Sequence, residues 1–392
     1  MKIFITIICS IYILNVTSQT VNKNMLRIPD TGQKNSYTNT FGEDNDYNIN
    51  TPFYINNGNG TVKDTVTGLI WQQTDGGEMT IENAAIYCDT LMLGGFTNWR
   101  LPTAKESFSI LNHQNNNPAI DINLFTKTAA EYWWTSEKQN NDVNKIWCTN
   151  AGGGIGNHPK TETISAGGTK KFHVRAVRDV VEPTIIQNHF NDNGNGTITD
   201  NLTNLVWQKI PNTNTLTWED ALVYAEGLEL GNSSNWHLPN IKELQSISEV
   251  TFINPAVNTN FFSISGTKKF WSSTSLPNQT TKAWYWDTQF GITTYDLKTN
   301  SNYVICVTSK MESNTSVNNQ NFDTKTIEVY PNPFTNKINI LNAQPNAEII
   351  LFNNIGQIIY QGKDLTNQDL SYLTKGVYFI KVEGNTYIIL KQ

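Results

Sequence analysis

The segment FNDNGNGTITDNLTNLVWQ at residues 190–208 repeats an earlier one, YINNGNGTVKDTVTGLIWQ at residues 54–72. The likeness extends well past these segments, because tryptophans recur at a nearly constant offset of 136 or 137 residues. The paired positions are Trp71 and Trp207, Trp99 and Trp236, Trp134 and Trp271, and Trp147 and Trp284. A period this long indicates a duplicated domain rather than a solenoid repeat. Each copy, of roughly 130 residues, can enclose its own core.

The ends of the chain and its charge predict an exported protein. Residues 1–19 place Lys2 before an apolar run, which is the layout of a secretory signal peptide. Residues 20–50 are rich in Asn, Thr and Asp and are predicted to be a flexible lead-in, and residues 309–326 a polar linker. The net charge of −6 is spread along the chain without a basic block, so nucleic acid is not expected as a partner. The sequence also predicts no transmembrane segment in the mature chain.

Both copies, residues 51–182 and 184–308, carry the same order of signals. A Gly-rich turn and a Leu-x-Trp-Gln strand come first, followed by a helix with Thr80 or Thr217 as N-cap. Glycines are expected to end that helix, and a second helix begins with a capping box, before a run of aromatic strands. The glycines are Gly94 and Gly231, and the capping boxes pair Thr103 with Glu106 and Asn240 with Glu243. Two helices with a mostly antiparallel sheet predict an α+β fold.

The copies resemble the Lcl C-terminal domain family, named for a collagen-like bacterial adhesin. The matching motifs are the Gly-Asn-Gly-Thr-x-x-Asp turn, Leu-x-Trp-Gln, Asn-Trp-(Arg/His)-Leu-Pro-x-x-x-Glu and the closing Val-x-x-Val strand. The resemblance implies two tandem C-type-lectin-like domains and, for some members, adhesion to glycans such as glycosaminoglycans. It implies no assigned reaction.

Residues 327–392 consist of short β-branched and aromatic strands broken by Asn-Pro and Gly turns, which predicts a small all-β, Ig-like sandwich. This segment resembles the C-terminal sorting domain of type IX secretion in Bacteroidota. The resemblance implies passage across the outer membrane, with the cargo secreted or attached to the cell surface and the secretion machinery as a partner. An ordinary Ig-like adhesive module remains the alternative. The matching residues are Tyr330, Pro331, Asn332 and Pro333, the turn at residues 353–356, Gly376 with its Gly-Val-Tyr-Phe strand, and Lys391.

Candidate ligand contacts are sought among residues that the two copies do not share. Tryptophans at equivalent positions are expected in the cores, because the same fold needs the same fillers. Trp133, Trp218 and Tyr285 lack such a counterpart and are candidates for glycan stacking. Arg100 and Arg175 are candidate contacts to an acidic glycan, with solvated surface or carboxylate pairing as the alternative.

No catalytic residue, metal site or cofactor is predicted. The loop from Asn191 mimics half of an EF-hand, but Leu202 stands where the bidentate Glu is required. The sequence contains no His-x-x-x-His, no Cys-x-x-Cys and no nucleophile elbow. We therefore expect a secreted or surface-attached binding protein whose partner is a glycan or a polysaccharide of the extracellular matrix or cell surface. An exported polysaccharide-acting hydrolase and a purely structural surface protein remain the alternatives.

A disulfide between Cys88 and Cys306 is one of two possible arrangements of the cysteines. In the resembled family the two equivalent positions commonly both carry Cys within one domain, whereas here copy 1 has Cys88 and copy 2 has Cys306. Either each copy has lost half of a bridge, or the copies exchange closing strands and join the two sulfurs.

Overall fold

The structure is a computed structural model that describes residues 20–309 and 327–392, apart from short gaps. The gaps are residues 48, 127–130, 161–162, 165–167, 170, 181, 342, 344–346, 354–356, 367 and 383–384. The predicted signal peptide, nearly all of the linker and most of the turn at 353–356 lie outside the described residues. The chain divides into two compact units on either side of residue 311, so both copies belong to one unit.

Copy 1 contains two main sheets and two helices. The sheets have the strand orders β12-β4-β3-β2 and β5-β11-β6-β7-β8, and β9 pairs with β10. The elements are β2 (Tyr54–Asn56), β3 (Thr61–Asp64), β4 (Leu69–Gln72), β5 (Glu78–Met79), α1 (Ile81–Thr90), α2 (Ala104–Ser109), β6 (Tyr132–Gln139), β7 (Asp142–Asn150), β8 (Ile155–Pro159), β9 (Thr163–Ile164), β10 (Gly168–Thr169), β11 (Phe172–His173) and β12 (Val177–Asp179); β1 (Val21–Lys23) precedes them.

Copy 2 repeats this plan with sheets of order β14-β15-β16-β20 and β17-β18-β19. A further strand, β13 (Thr184–Ile186), lies between the copies and pairs with β1. The elements of copy 2 are β14 (Phe190–Asp192), β15 (Thr197–Asp200), β16 (Leu205–Gln208), α3 (Trp218–Glu226), α4 (Ile241–Ile247), β17 (Lys269–Ser275), β18 (Lys282–Asp287), β19 (Ile292–Leu297) and β20 (Val307–Ser309).

The predicted α+β class with C-type-lectin-like copies is wrong. The described chain is mostly β, with 36% strand against 11% helix in four short helices and many small sheets. The error came from helix length: the first helix was expected to continue as far as Gly94, but α1 ends at Thr90. The second helices, α2 and α4, have only six and seven residues. Helices this short pack on individual strands, as α2 does on β6 and β7, and do not form a layer of their own.

Local sequence signals place the helix starts correctly and the helix ends incorrectly. Both predicted capping boxes are present, at Thr103 and at Asn240. Gly94 and Gly231 instead lie beyond the helices, each at a φ of 61°. A Cβ on Gly231 would lie 2.6 Å from the methyl group of Thr197 in the Gly-rich turn. These glycines therefore allow close approach of two loops, a role that looks the same in sequence as a helix stop.

Most of the predicted flexible lead-in is ordered and packs against the two copies. Residues 20–47, here called the N-terminal strap, cross both copies and bury several of their own polar side chains. On copy 1, the backbone N–H of Leu26 donates to the Thr67 carbonyl, and that of His113 to the Thr31 carbonyl, both at 2.9 Å. Composition misled here, because a polar segment folds when a neighbouring domain supplies its hydrogen-bond partners.

The strap is held on copy 2 by buried carboxylates. Glu43 and Asp44 are both almost fully buried at the edge of β17. The Thr274 hydroxyl donates to Asp44 Oδ2 and the Ser275 hydroxyl to Glu43 Oε1, each at 2.5 Å. Such a hydrogen bond contributes about 0.5–1.5 kcal/mol when both groups are neutral and about 1.5–3 kcal/mol when the acceptor is charged. The strap therefore ties copy 1 to copy 2.

The two copies share one core, here called the junction core, around their equivalent tryptophans. Trp147 of copy 1 and Trp284 of copy 2 lie in it together with Phe108 and Ile241. All eight paired tryptophans are buried, so their prediction as core residues is confirmed. The copies thus pack as one body through equivalent surfaces.

Two lysines reinforce this junction reciprocally. Lys105 Nζ donates to the carbonyl of Ser246 in α4, and Lys242 Nζ donates to the carbonyl of Ser109 in α2, both at 2.7 Å. Lys242 Nζ also donates to the Asp30 carbonyl of the strap at 2.8 Å. A cation at a helix C-terminus satisfies carbonyls that lack a partner within the helix. Burial lowers the pKa of Lys242 to about 8.

The C-terminal unit is all β and has its own core around Phe334, Leu351 and Ile380. The opening motif is tied to the last strand, since Asn332 donates to the Ile388 carbonyl and accepts from the Leu390 N–H, both at 2.9 Å. Its strands are β21 (Glu328–Tyr330), β22 (Asn339–Leu341), β23 (Ile349–Asn353), β24 (Ile358–Gly362), β25 (Gly376–Val382) and β26 (Asn385–Lys391), in the orders β21-β22 and β24-β23-β25-β26. Gly376 and Lys391, both motif residues, are register partners.

The copies do not exchange closing strands. β12 pairs with β4 inside copy 1, and β20 pairs with β16 inside copy 2. Cys88 and Cys306 consequently lie in different cores, and none of the three described cysteines forms a disulfide. The structure therefore has the arrangement in which each copy has lost half of a bridge, and not the alternative Cys88–Cys306 disulfide.

Non-reducing peptide mapping of the purified protein is expected to find no peptide that joins Cys88 to Cys306. Native Cys88 should resist alkylation, because burial raises the pKa of its thiol to about 12 and hides the sulfur. After unfolding in urea, both cysteines should react fully. A cross-linked peptide in the native digest would contradict the pairing of β20 with β16.

Candidate functional site

The three aromatic candidates are buried, contrary to their expected accessibility. Trp133 and Tyr285 are 7% exposed and Trp218 is fully buried. The indole N–H of Trp218 donates to the Ser272 carbonyl at 2.8 Å, and that of Trp133 to Asp75 Oδ2 at 3.2 Å. Their ring faces are covered by the copies' own side chains and offer no platform to a sugar. Tyr285 and its neighbour Trp284 on β18 belong to different cores, so both faces of that strand are covered.

The two arginine candidates also hold the fold. Arg100 lies between Glu106 and Asp179, with a nitrogen–oxygen distance of 2.7 Å to each carboxylate. Arg175 is buried, and its guanidinium donates to the carbonyls of Gln72 and Gln73. Burial lowers the pKa of Arg175 to about 10. Pairing with carboxylates was the alternative to a glycan contact for these residues, and Arg100 forms such pairs.

An open groove of about 220 Å³ lies where β8 of copy 1 meets β19 of copy 2. We call it the junction groove. Tyr132 and His158 line it from copy 1, and Phe290 lines it from the β18–β19 turn of copy 2. The Ile155 N–H donates to the Thr293 hydroxyl at 3.1 Å, which holds the two strands together at the base of the groove.

The groove combines fixed rings with amides. The Tyr132 ring stacks on Phe172 at 4.7 Å between centroids, and His158 meets Tyr132 edge-on at 4.8 Å. Asn157 Nδ2 is buried and has no hydrogen-bond partner among the described residues. Asn150 also lines the groove, and its carboxamide oxygen accepts from the Gly152 and Gly154 N–H groups at 2.9 and 3.1 Å. Rigid rings beside an unused amide donor suit a ligand that has both an apolar face and hydroxyl groups.

Sequence reasoning missed the groove residues, although a signal for Tyr132 existed. Copy 2 has Lys269 at the equivalent position, so Tyr132 is an unmatched aromatic by the same criterion that selected Trp133. Phe290 is likewise unmatched, since copy 1 has Gly153 there. What could not be read was exposure, because the groove exists only where the two copies meet.

A second site of interest is a cluster of buried acids beneath the strap. Burial raises the pKa of Asp30 to about 6, and it raises the pKa of Asp44 well above its usual range. Lys242 opposes the shift of the Asp30 pKa, whereas Glu243 adds to the shifts of both pKa values. Strap docking therefore depends on the protonation of these carboxyls.

The Asp30→Asn variant is expected to be more stable than the parent at pH 7.5, by about 1–3 kcal/mol. A carboxyl whose pKa is raised in the folded state stabilises fully below about pH 4, and this contribution is lost as the pH rises through about 6. The advantage of the variant should therefore shrink at pH 5. Urea denaturation at both pH values measures it, with exposed Asp89→Asn as the control. An equal effect at both pH values would contradict the assignment.

The matches to known families agree with the two-part organisation. The Lcl C-terminal domain family matches residues 60–178 and 196–308, which together are more than half of the chain. The secretion system C-terminal sorting domain matches residues 328–392. No curated protein matches the chain.

The chain belongs to the Lcl C-terminal domain family, with two tandem copies followed by a type IX sorting domain. It is a secreted surface protein, exported to the cell surface or the extracellular space, and it interacts with the secretion machinery. Within the described part of the chain, no helix has the length and apolar character needed to cross a membrane.

Proposed function

We propose that this exported protein binds glycans without catalysis, through the junction groove between its two copies. The observation that carries the proposal is the meeting of rings from both copies, Tyr132 and Phe290, with the unused amide of Asn157 in one groove. Ring faces pack against the apolar faces of sugars, while amides bond to sugar hydroxyls. A purely structural spacer would need no such concave surface.

The lining of the groove favours neutral glycans over polyanions. No Lys, Arg, Asp or Glu is among the described residues that line it. The net charge of −6 adds a long-range field that repels polyanions. Association with heparin-like chains therefore has no electrostatic support here.

Carboxylates near the junction are engaged in structure, which supports a role without catalysis. Glu106 accepts from Arg100 and from the Thr103 N–H of its own helix cap. Glu137 accepts from the Ala104 N–H at 2.7 Å. An exported hydrolase would need a pair of carboxyls facing its substrate, and neither of these two lines the junction groove. Incubation with each bound glycan is accordingly expected to release no new reducing ends.

On a glycan array, the purified protein is expected to bind neutral or mixed polysaccharides at least as well as heparin. Raising the salt concentration from about 50 to about 200 mM should change this binding little, because screening acts on charge pairs and the groove has none. Heparin binding that dominates the array and collapses at the higher salt would contradict the proposal.

Groove variants test the location of the site. Phe290→Ala and Tyr132→Ala are each expected to weaken glycan binding by about tenfold or more, since a stacked ring contributes on the order of 1.4 kcal/mol. Tyr295→Ala is the matched control, because Tyr295 is an exposed ring on β19 outside the groove. If the Phe290→Ala variant bound glycans as tightly as the parent, the junction groove would not be the binding site.

A further inference from the structure

A second cavity, of about 230 Å³, lies beneath the strap, and we call it the strap cavity. Strap residues 21–28 form one wall, and α2, α4 and the loop residues 202–203 and 249–251 contribute to the others. It is separate from the junction groove, with which it shares no lining residue.

The strap cavity lies where the similarity of the two copies breaks down. Position 108 of copy 1 is Phe, and the equivalent position of copy 2 is Gln245. Both side chains line the cavity, so it has an aromatic wall and an amide wall. If this position needed only an apolar side chain to fill the core, copy 2 could carry the same aromatic residue as copy 1.

The amide wall carries polar atoms that the protein leaves unused. Gln245 and Ser246 are only 3% and 5% exposed. Gln245 Oε1 and Ser246 Oγ have no hydrogen-bond partner among the described residues. Leaving such a group unpaired costs about 1–3 kcal/mol, so two on one cavity wall point to a guest that hydrogen-bonds to them.

The charges around the cavity balance and leave a neutral site. Six charged residues line it, three basic and three acidic: Arg27, Lys105, Lys242, Glu106, Glu137 and Glu249. The two lysines already hold helix carbonyls, and Glu106 already pairs with Arg100. An anion would meet the glutamates and a cation would meet the lysines, so an uncharged guest fits best.

The volume and the lining of the strap cavity restrict the size and chemistry of the guest further. Pockets for drug-sized ligands span about 300–1,000 Å³, and this cavity is smaller, so the guest is about one sugar ring in size. Met25, Ile28 and Val250 give it an apolar side next to Phe108. The free oxygen of Gln245 requires a donor such as a hydroxyl group.

We propose that the strap cavity binds a neutral, hydroxyl-rich molecule of about the size of one sugar ring, held between the strap and the ends of α2 and α4. Gln245 and Ser246 contact its hydroxyl groups, and Phe108 covers its apolar face. This site is independent of glycan binding in the junction groove.

The test uses the whole purified protein and four neutral probes: glucose, galactose, mannose and N-acetylglucosamine. At least one probe is expected to raise the melting temperature saturably, because a ligand that binds only the native state stabilises it. Titration calorimetry then gives the affinity. Gln245→Leu and Ser246→Ala should each weaken it by about tenfold or more, and Gln245→Phe, which copies the residue of copy 1, should abolish it.

The melting temperature without a probe separates a binding role from a structural one. Ser246→Ala removes an unpaired buried hydroxyl and should leave this temperature unchanged or raise it. The control, Ser107→Ala, breaks a pair with the Thr149 hydroxyl at 2.8 Å outside the cavity, and should lower it without changing probe binding. The proposal is overturned if no probe binds or if binding survives Gln245→Phe. Phe290→Ala should leave probe binding intact, so failure of the groove proposal would not affect this result.

Discussion

Removal of residues 327–392 is expected to abolish surface display and leave the protein in the periplasm. This segment matches the sorting domain over almost its whole length and carries an independent core around Phe334. The described cores of the two copies include no residue from it. The truncated protein should therefore fold normally while lacking the export signal. Protease shaving of intact cells, followed by immunoblotting of surface and periplasmic fractions, measures the loss.

Point variants separate the folding of the sorting unit from its deletion. Phe334→Ala empties a fully buried aromatic site and should cost about 3–5 kcal/mol. This loss is enough to unfold the C-terminal unit in most protein molecules, so display should fall strongly. Tyr372→Ala, at a residue that is 67% exposed, is the control and should be displayed normally. If the protein that lacks residues 327–392 were displayed as well as the parent, these residues would not be the export signal.

Removal of the strap, residues 20–47, is expected to lower the free energy of unfolding of the paired copies by about 4 kcal/mol or more. The loss combines several buried hydrogen bonds, each of about 1.5–3 kcal/mol where a carboxylate accepts. It also leaves the Thr274 and Ser275 hydroxyls without their carboxylate acceptors and Lys242 without the Asp30 carbonyl. Urea denaturation of the purified proteins gives the difference, and limited proteolysis should show faster cleavage.

Single substitutions locate this effect within the strap. Glu43→Ala should reproduce a large part of it, because Glu43 accepts from Ser275 and from Gln33 Nε2 at 2.5 and 2.8 Å. Asn39→Ala, at an exposed strap position, should change stability by less than about 0.5 kcal/mol. If the protein without its strap denatured at the same urea concentration as the parent, the strap would make no contribution to stability and the prediction would be wrong.

The features that were predictable from the sequence depend on neighbours along the chain. Thr103 and Glu106 form a capping box within four residues, and the turn glycines Gly194 and Gly196 take φ values of 73° and 86°. The internal repeat added the paired tryptophans, because duplicated folds bury equivalent positions. For the candidate site, the same repeat identified unmatched aromatics but not whether they reach solvent.

Fold class and exposure were not predictable, because both depend on contacts between distant segments. Trp218 was a reasonable surface candidate until α3 is seen to pack on β17, where the indole donates to Ser272. Lys105 and Lys242 each donate to the other copy's helix, and no residue near them in the chain indicates this contact.

The sequence alone thus determined the duplication, the helix caps, the turns and the sorting signal, since each is encoded by residues close together in the chain or by direct repetition. Only the tertiary structure decided that the strap joins the copies and that a groove and a cavity form where they meet. Those features arise from hydrogen bonds such as Thr274 to Asp44, whose partners lie 230 residues apart. No local preference encodes such a pair, because its free energy is gained only after both copies have folded and docked.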